Sequence, residues 1–275
     1  MFLAGLAVLG AVAAAFPRLR TPGHTGVLAT AAYAGALIVL LLRGQGEGLA
    51  WRRLLGRWPT RHELPLLGVI VPLALITVAS AYIVFVPLSY VAPGMVERVL
   101  KDSSLFDATT PGQFAWAFFA FVVAAPVTEE ILFRGFLLHR WAHRWGTSAG
   151  VVLSAVMFAV GHSEWVGHFL TGVVLALLYL RTQSLWVPIL AHALNNAMAA
   201  LPAAWQLYTH QPDTPTTLAE FRDGLGWGVV AFVAGAALLG MYKHLYWPDG
   251  IASKVFRGPV PYDVPSEGDV STSVS

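Results

Sequence analysis

The stretch FAWAFFAFVVAAPVTEEILFRGFLLHR, Phe114 to Arg140, decides the fold. It is unbroken apolar sequence as far as Val127. It then takes in Glu129, Glu130 and Arg134 before returning to apolar residues. An ionisable side chain inside such a run costs on the order of several kcal/mol in lipid, so its presence needs a reason. Glu130 and Arg134 stand at i,i+4, share a helix face and can pair. Glu129 is turned about 100° from Glu130 and has no equally obvious local partner. On its own the stretch reads either as a span ending in headgroup charges or as a span that carries polar chemistry into the bilayer.

The rest of the chain places it in lipid. Of 275 residues 56% are hydrophobic and only 12% are charged, with a mean hydropathy of +0.63; soluble domains run at about 25% charged. Spans of roughly 20 residues fit eight times and use over half the chain. They are read at Phe2 to Phe16, Gly26 to Leu42, Leu64 to Val91, Phe114 to about Arg140, Ala149 to Gly161, Val166 to Leu180, Leu185 to about Ala203, and Gly226 to about Trp247. Phe2 to Phe16 has no positive residue before it and reads as a retained span rather than a signal peptide. Between them lie a basic loop from Arg43 to Glu63 and polar loops from Pro93 to Gly112 and Ala204 to Leu225. No long run shows strand-like alternation. Only helices or closed barrels satisfy their backbone in lipid, so the expected fold is an all-α polytopic membrane helix bundle of about eight transmembrane helices. Residues 1–247 form the bundle, and the polar stretch 248–275 reads as a disordered tail.

The net charge of +2 and the scattered basic residues form no nucleic-acid stripe, so no nucleic-acid partner is expected. The chain has no cysteine, which excludes disulfides, a thiol nucleophile and Cys-bound zinc or iron–sulfur clusters. With eight spans, 12 of the 17 Lys and Arg fall on one side. The positive-inside rule puts that side, and both termini, in the cytoplasm.

Two further polar clusters fall in apolar segments. Phe158 and His162 lie one turn apart on the fifth span, and His192 and Asn196 one turn apart on the seventh. A lone intramembrane His is often only a helix–helix hydrogen bonder; two such sites beside a carboxylate pair are harder to dismiss. Glu129 lies 17 residues before Gly146 and His162 lies 16 after it. Straight antiparallel helices would bring the two to one level. A buried carboxylate can take a proton from water, neutral imidazoles can orient that water or donate to an oxyanion, and an Asn amide adds a donor without charge. This is the parts list for hydrolysing an amide with an activated water, and it contains no covalent nucleophile. Glu129, His162 and His192 could instead ligate a zinc with an open position for water. Residue types and spacing leave both versions open.

At these residues the chain resembles the CPBP family of CAAX prenyl proteases and bacteriocin-processing proteins, also called Abi proteins. The marks are Glu129-Glu130-Ile131-Leu132-Phe133-Arg134, then Phe158-Ala159-Val160-Gly161-His162, then His192-Ala193-Leu194-Asn195-Asn196. The resemblance covers roughly Phe114 to Ala200. It implies an intramembrane endopeptidase with a catalytic core over 114–203 and a site open to the cytoplasm of an inner-membrane protein. By motif position Glu129 is the base that activates water, His162 assists it, and His192 and Asn196 stabilise the oxyanion. Glu130 and Arg134 hold the base and its helix, with Phe158 as a further supporting residue. The family has been described both as metalloprotease-like and as glutamate-dependent without a catalytic metal; the second is preferred, so no cofactor is expected. The implied partners are the lipid bilayer and a membrane-associated peptide or protein: a prenylated CAAX tail, a bacteriocin leader or a C-terminal sorting segment.

Rival readings are a bacteriocin-immunity or peptide-binding membrane protein without catalysis, and a proton-coupled transporter using Glu129 and Glu130. The transporter lacks a detected repeat and paired broken spans. Gly146 to Gly150, GTSAG, matches a nucleophile elbow but lacks the preceding strand. Gly146 reads better as a helix stop, with Thr147 or Ser148 as the next N-cap. His139 and His143 read as interfacial anchors rather than a metal pair. Glu164 and His168 either cap the sixth span or line the entrance.

Overall fold

The computed structural model describes residues 25–46, 51–102, 108–162, 164–209 and 217–246. The expected first span, Phe2 to Phe16, and the tail from Pro248 lie outside them. Among the described residues all regular structure is helical. We label α1 Thr25–Gly46, α2 Trp51–Leu55, α3 Leu64–Val91, α4 Pro93–Asp102, α5 Pro111–Trp145, α6 Thr147–Val160, α7 Trp165–Thr182, α8 Trp186–Thr209, α9 Leu218–Asp223 and α10 Leu225–Tyr246.

Five of these, α1, α3, α5, α7 and α10, are long and apolar enough to cross a membrane. The chain is an integral membrane protein with a helical bundle. Two more of the expected spans are helices of another kind. α6 is apolar but only 14 residues long. α8 runs for 24 residues and carries His192, Asn195, Asn196 and Gln206, which lower its hydropathy. The regions read as polar loops hold helices as well. Thr217 and Glu220 close a reciprocal capping box that starts α9, and Thr110 caps α5 through the Gln113 amide.

α10 packs antiparallel along α3: Gly228 lies against Tyr82, Gly235 against Ile76, and the Tyr242 hydroxyl donates to the Leu66 carbonyl at 2.8 Å. The far side of α10 presents Val229, Val230, Phe232 and Val233 outward, a surface that is stable against acyl chains and not against water. α7 lies across both α3 and α6. Leu175 and Leu178 join Leu66, Val69, Ile70 and Leu73 in one buried cluster, while Ala176, Tyr179 and Leu180 join Leu138 and Val151 in another.

Gly146 has φ +87°, ends α5 and turns the chain straight into α6. The helix stop is as expected. The N-cap is not Thr147 or Ser148: Gly146 itself occupies that position and Thr147 is the first helical residue. The left-handed glycine closes one helix and opens the next with no intervening loop, so α5 and α6 form a tight antiparallel pair.

Gly172 on α7 lets α6 approach. A Cβ there would sit 3.0 Å from the Ala155 Cα and 3.1 Å from its Cβ. Without a hydrophobic drive between helices in lipid, close backbone contact is what holds such pairs. Gly172→Ala is expected to push α7 off α6 at a cost of about 1–3 kcal/mol, read as a lower melting temperature in detergent. An unchanged melting temperature would show that the crossing can give.

The basic segment before α3 is folded onto the α7–α8 turn. The Leu185 amide donates to the Leu55 carbonyl at 3.0 Å, and the Ser184 hydroxyl to the Arg57 carbonyl at 2.7 Å. Arg57 grips Glu63 with two hydrogen bonds of 2.7 Å each. The guanidinium holds the Glu63 carboxyl down at about 2, against an ordinary value of 4.5. A lowered folded-state value stabilises above the ordinary one and loses that contribution as pH falls through the folded one. Hydrogen exchange of the 56–63 amides is therefore expected to quicken, after correction for intrinsic rates, between pH 4.5 and about 2, and not to do so in Glu63→Gln.

Candidate active site

Pro126 shapes the site from within α5. A proline inside a helix cannot donate to the carbonyl four residues back and crowds it. The turns before it, Phe119–Ala124, are wound as π-helix, and α-helix resumes over Ala125–Glu130. A second π segment, Ile131–Leu137, follows at once and contains Arg134. The two acidic residues thus stand on a short α-helical step between two widened stretches, an irregularity that recurs at functional sites. α8 docks on the first of them: the Asn196 Nδ2 donates to the Phe121 carbonyl at 2.7 Å.

Glu130 and Arg134 are wholly buried, and their 2.6 Å ion pair is the one the i,i+4 spacing predicted. Arg134 also donates to the Gly172 carbonyl at 2.8 Å, so the same glycine that admits α6 also anchors the guanidinium. His192 is 3% exposed and brings its Nδ1 to 3.0 Å from Glu130 Oε1. Beside the Arg134 ion pair the carboxylate accepts, so Nδ1 carries the proton and donates. The opposite nitrogen, Nε2, faces Glu129 Oε2 at 4.0 Å.

Glu129 is less enclosed, with its side chain 16% exposed. Its Oε1 accepts a hydrogen bond from the Tyr33 hydroxyl of α1 at 3.1 Å, while its Oε2 is buried without a hydrogen-bond partner. A gap of 4.0 Å between two acceptors is too wide for a direct hydrogen bond.

Phe158 is the hub that joins its own motif to the other two. The Arg134 guanidinium lies 4.9 Å from its ring centre, and the rings of His162 and His192 lie at 4.6 and 5.5 Å. His162 is not on the α6 helix as its spacing from Phe158 suggested. α6 closes at Val160 with Gly161 as its cap, and His162 sits in the turn that follows. Its Nδ1 donates to the Phe158 carbonyl at 2.8 Å, which leaves Nε2 as the acceptor in the neutral ring. His162 stacks on His168 with 4.0 Å between ring centres. Glu164 caps α7 through the Val166 and Gly167 amides, and its backbone carbonyl accepts from His168 Nδ1. Of the two roles weighed for this pair, the capping one is what Glu164 performs, while His168 packs against His162.

The structure thus gathers Glu130, Arg134 and His192 by hydrogen bonds, Glu129 at 4.0 Å from His192, and Phe158 and His162 by ring contact, with Asn196 one turn along α8 from His192 and bonded to the Phe121 carbonyl. Burial is deepest at Glu130 and Arg134 and relaxes toward Glu129, His162 and Asn196, which are half-buried, so the site opens on that side. Two contributors carried no motif. Tyr33 lies 96 residues from Glu129 in the chain, and only its being the one aromatic residue of an Ala-rich span could have marked it. His168 had its closeness to His162 in sequence. His139, from the alternative metal pair, bonds to the Tyr179 hydroxyl at 2.8 Å, whereas His143 is exposed. Among the described residues no three His, Asp or Glu side chains come together so as to hold a metal ion. Glu129, His162 and His192 as arranged do not fit a zinc.

The apolar helical bundle thus carries buried carboxylates, imidazoles and an amide close together. Residues 111–198, about a third of the chain, match the family model described as "Type II CAAX prenyl endopeptidase Rce1-like". Over 83 residues the chain is 30% identical to the "Putative membrane peptidase YdiL" of Bacillus subtilis (strain 168). That alignment takes in 29% of this chain and about a third of the relative's length. No solved structure matches the chain.

Proposed function

We propose that the chain is an intramembrane endopeptidase that hydrolyses a peptide bond of a membrane-associated protein or peptide by a water that Glu129 activates. The observation that carries this reading is the unpartnered, buried Glu129 Oε2 facing His192 Nε2 across 4.0 Å. A water that reaches Oε2 as the side chain shifts toward its more exposed side gives its proton to Glu129 as its oxygen attacks the scissile carbonyl. Asn196 keeps a second Nδ2–H beyond the one on Phe121, and it meets the oxyanion. His192 adds a donor from Nε2 when its ring carries both protons. His162 presents Nε2 as an acceptor that helps orient the water and the substrate. The tetrahedral adduct collapses as Glu129 returns the proton to the leaving nitrogen, the C–N bond breaks and the C=O bond re-forms, and a carboxylic acid and an amine result, which part as carboxylate and ammonium once the acid proton passes to the amine. Glu130 and Arg134 touch none of the reacting atoms; they fix His192 and the helix.

The substrate class is a prenylated CAAX tail, a bacteriocin leader or a C-terminal sorting segment, each delivering its bond from the membrane. The protein works in the inner membrane with its termini and the opening of its site toward the cytoplasm. The test is a panel of fluorescent peptides of these three kinds, each with an apolar or prenyl anchor, added to liposomes holding the purified chain. New termini seen by mass spectrometry are the expected result. Peptides bound but left intact across the panel would favour a peptide-sequestering immunity protein. Cleavage insensitive to chelators, with no metal in the pure protein, is expected for a glutamate-dependent reaction.

A further inference from the structure

We infer that Tyr33, on a helix outside the family-matched segment, is a positioning residue that selects which oxygen of Glu129 faces the reacting water. The inference rests on the proposed role of Glu129. A carboxylate with two equivalent oxygens can turn about its last bond and present either one, or neither, to a substrate. Here the Tyr33 hydroxyl takes Oε1 at 3.1 Å, and Oε2 alone is left toward His192. A terminal carboxyl torsion is broad and shallow when nothing holds it; one hydrogen bond from a rigid ring confines it.

The backbone is arranged to deliver that hydroxyl. α1 and α5 run in the same direction, with Gly26 against Trp116 and Ala117 near their starts and Tyr33 against Thr128 and Glu129 farther along. A Cβ at position 26 would collide with the Ala117 backbone, so the close approach that brings Tyr33 within reach depends on that glycine. The Thr128 hydroxyl donates to the Tyr33 carbonyl at 3.5 Å, tying the tyrosine to the residue beside its target. α1 therefore contributes more than lipid-facing bulk: it completes the carboxylate's environment from a part of the chain that none of the three motifs reaches.

The experiment uses the full chain in liposomes and the anchored peptides that it cleaves. Tyr33→Phe removes only the hydroxyl and keeps the packed ring. It is expected to lower kcat by about 10- to 100-fold, the scale of a misplaced catalytic group, with KM and melting temperature unchanged. In a Glu129→Asp background, where the shortened side chain no longer reaches the hydroxyl, Tyr33→Phe is expected to change kcat less than twofold. A parental kcat in Tyr33→Phe overturns the inference. So does a loss expressed in KM or melting temperature, or one of equal size in both backgrounds, since each would make Tyr33 a packing residue. Peptide cleavage abolished by Glu129→Gln but untouched by Tyr33→Phe removes the role of Tyr33 and leaves the proposed function standing. Cleavage that survives Glu129→Gln removes both.

Discussion

Glu129→Gln is expected to lower kcat by about 10³-fold or more while the protein still inserts, folds and binds peptide. The estimate combines a lost general base, worth about 10²–10⁴ in rate, with a nearly isosteric replacement. Gln keeps the acceptor that Tyr33 engages through its carbonyl oxygen and offers an amide where Oε2 stood, so packing is unaltered. It cannot take a proton from water or return one to the leaving amine. The measurement is single-turnover cleavage beside a peptide-binding isotherm and a melting curve. Loss of cleavage with binding and melting retained supports the assignment. Activity within tenfold of the parent would place the base elsewhere. The neighbouring Glu130→Gln separates the two acids: its first effect should be on stability, because Glu130 is the partner of a wholly buried guanidinium.

Arg134→Leu is the second large effect, and it falls on folding. Removing one member of a buried pair leaves the other as an uncompensated charge and costs about 3–5 kcal/mol. A domain is stable by only about 5–15 kcal/mol. Glu130 would then face His192 alone, the Gly172 carbonyl would lose its donor, and the Phe158 ring would lose the cation at 4.9 Å. Low recovery from membranes and a sharply depressed melting temperature are expected. Arg134→Lys keeps the charge but not the forked geometry that reaches Glu130 and Gly172 together, so it should recover only part of the stability. A well-behaved Arg134→Leu protein would mean that the buried pair is not what holds α5 to α7.

What the sequence made legible follows the range of the interactions. Glu130 with Arg134 is a local i,i+4 pair and was readable, as was the stop at Gly146. The three motifs pointed to residues that do meet, but not to how. The levelling of Glu129 with His162 assumed straight helices, whereas α5 contains two π segments and α6 ends at Val160, before His162. Pro126 was a visible sign that α5 could not be regular. No local pattern marks the second π segment. Tyr33 was out of reach because nothing near it in sequence refers to Glu129. The expected loops before α5 and after α8 were misread because α4 and α9 are short amphipathic helices whose low hydropathy resembles irregular chain; the signal for α9 was its Thr217–Glu220 capping box.

The doubled widening of α5 also bears on how this protein can be altered. Each wide turn holds one residue more than a regular coil would, and that surplus sets the angular phase of everything after it. Deleting a residue from 119–124 would restore regular bonding and swing the acids by about 100° relative to the first half of the rod, away from Tyr33 on one flank and His192 on the other. Idealising this helix for robustness would therefore yield a sturdier scaffold with its chemistry aimed at lipid. The irregular winding is the register mark that insertions and deletions in homologous engineering must leave intact.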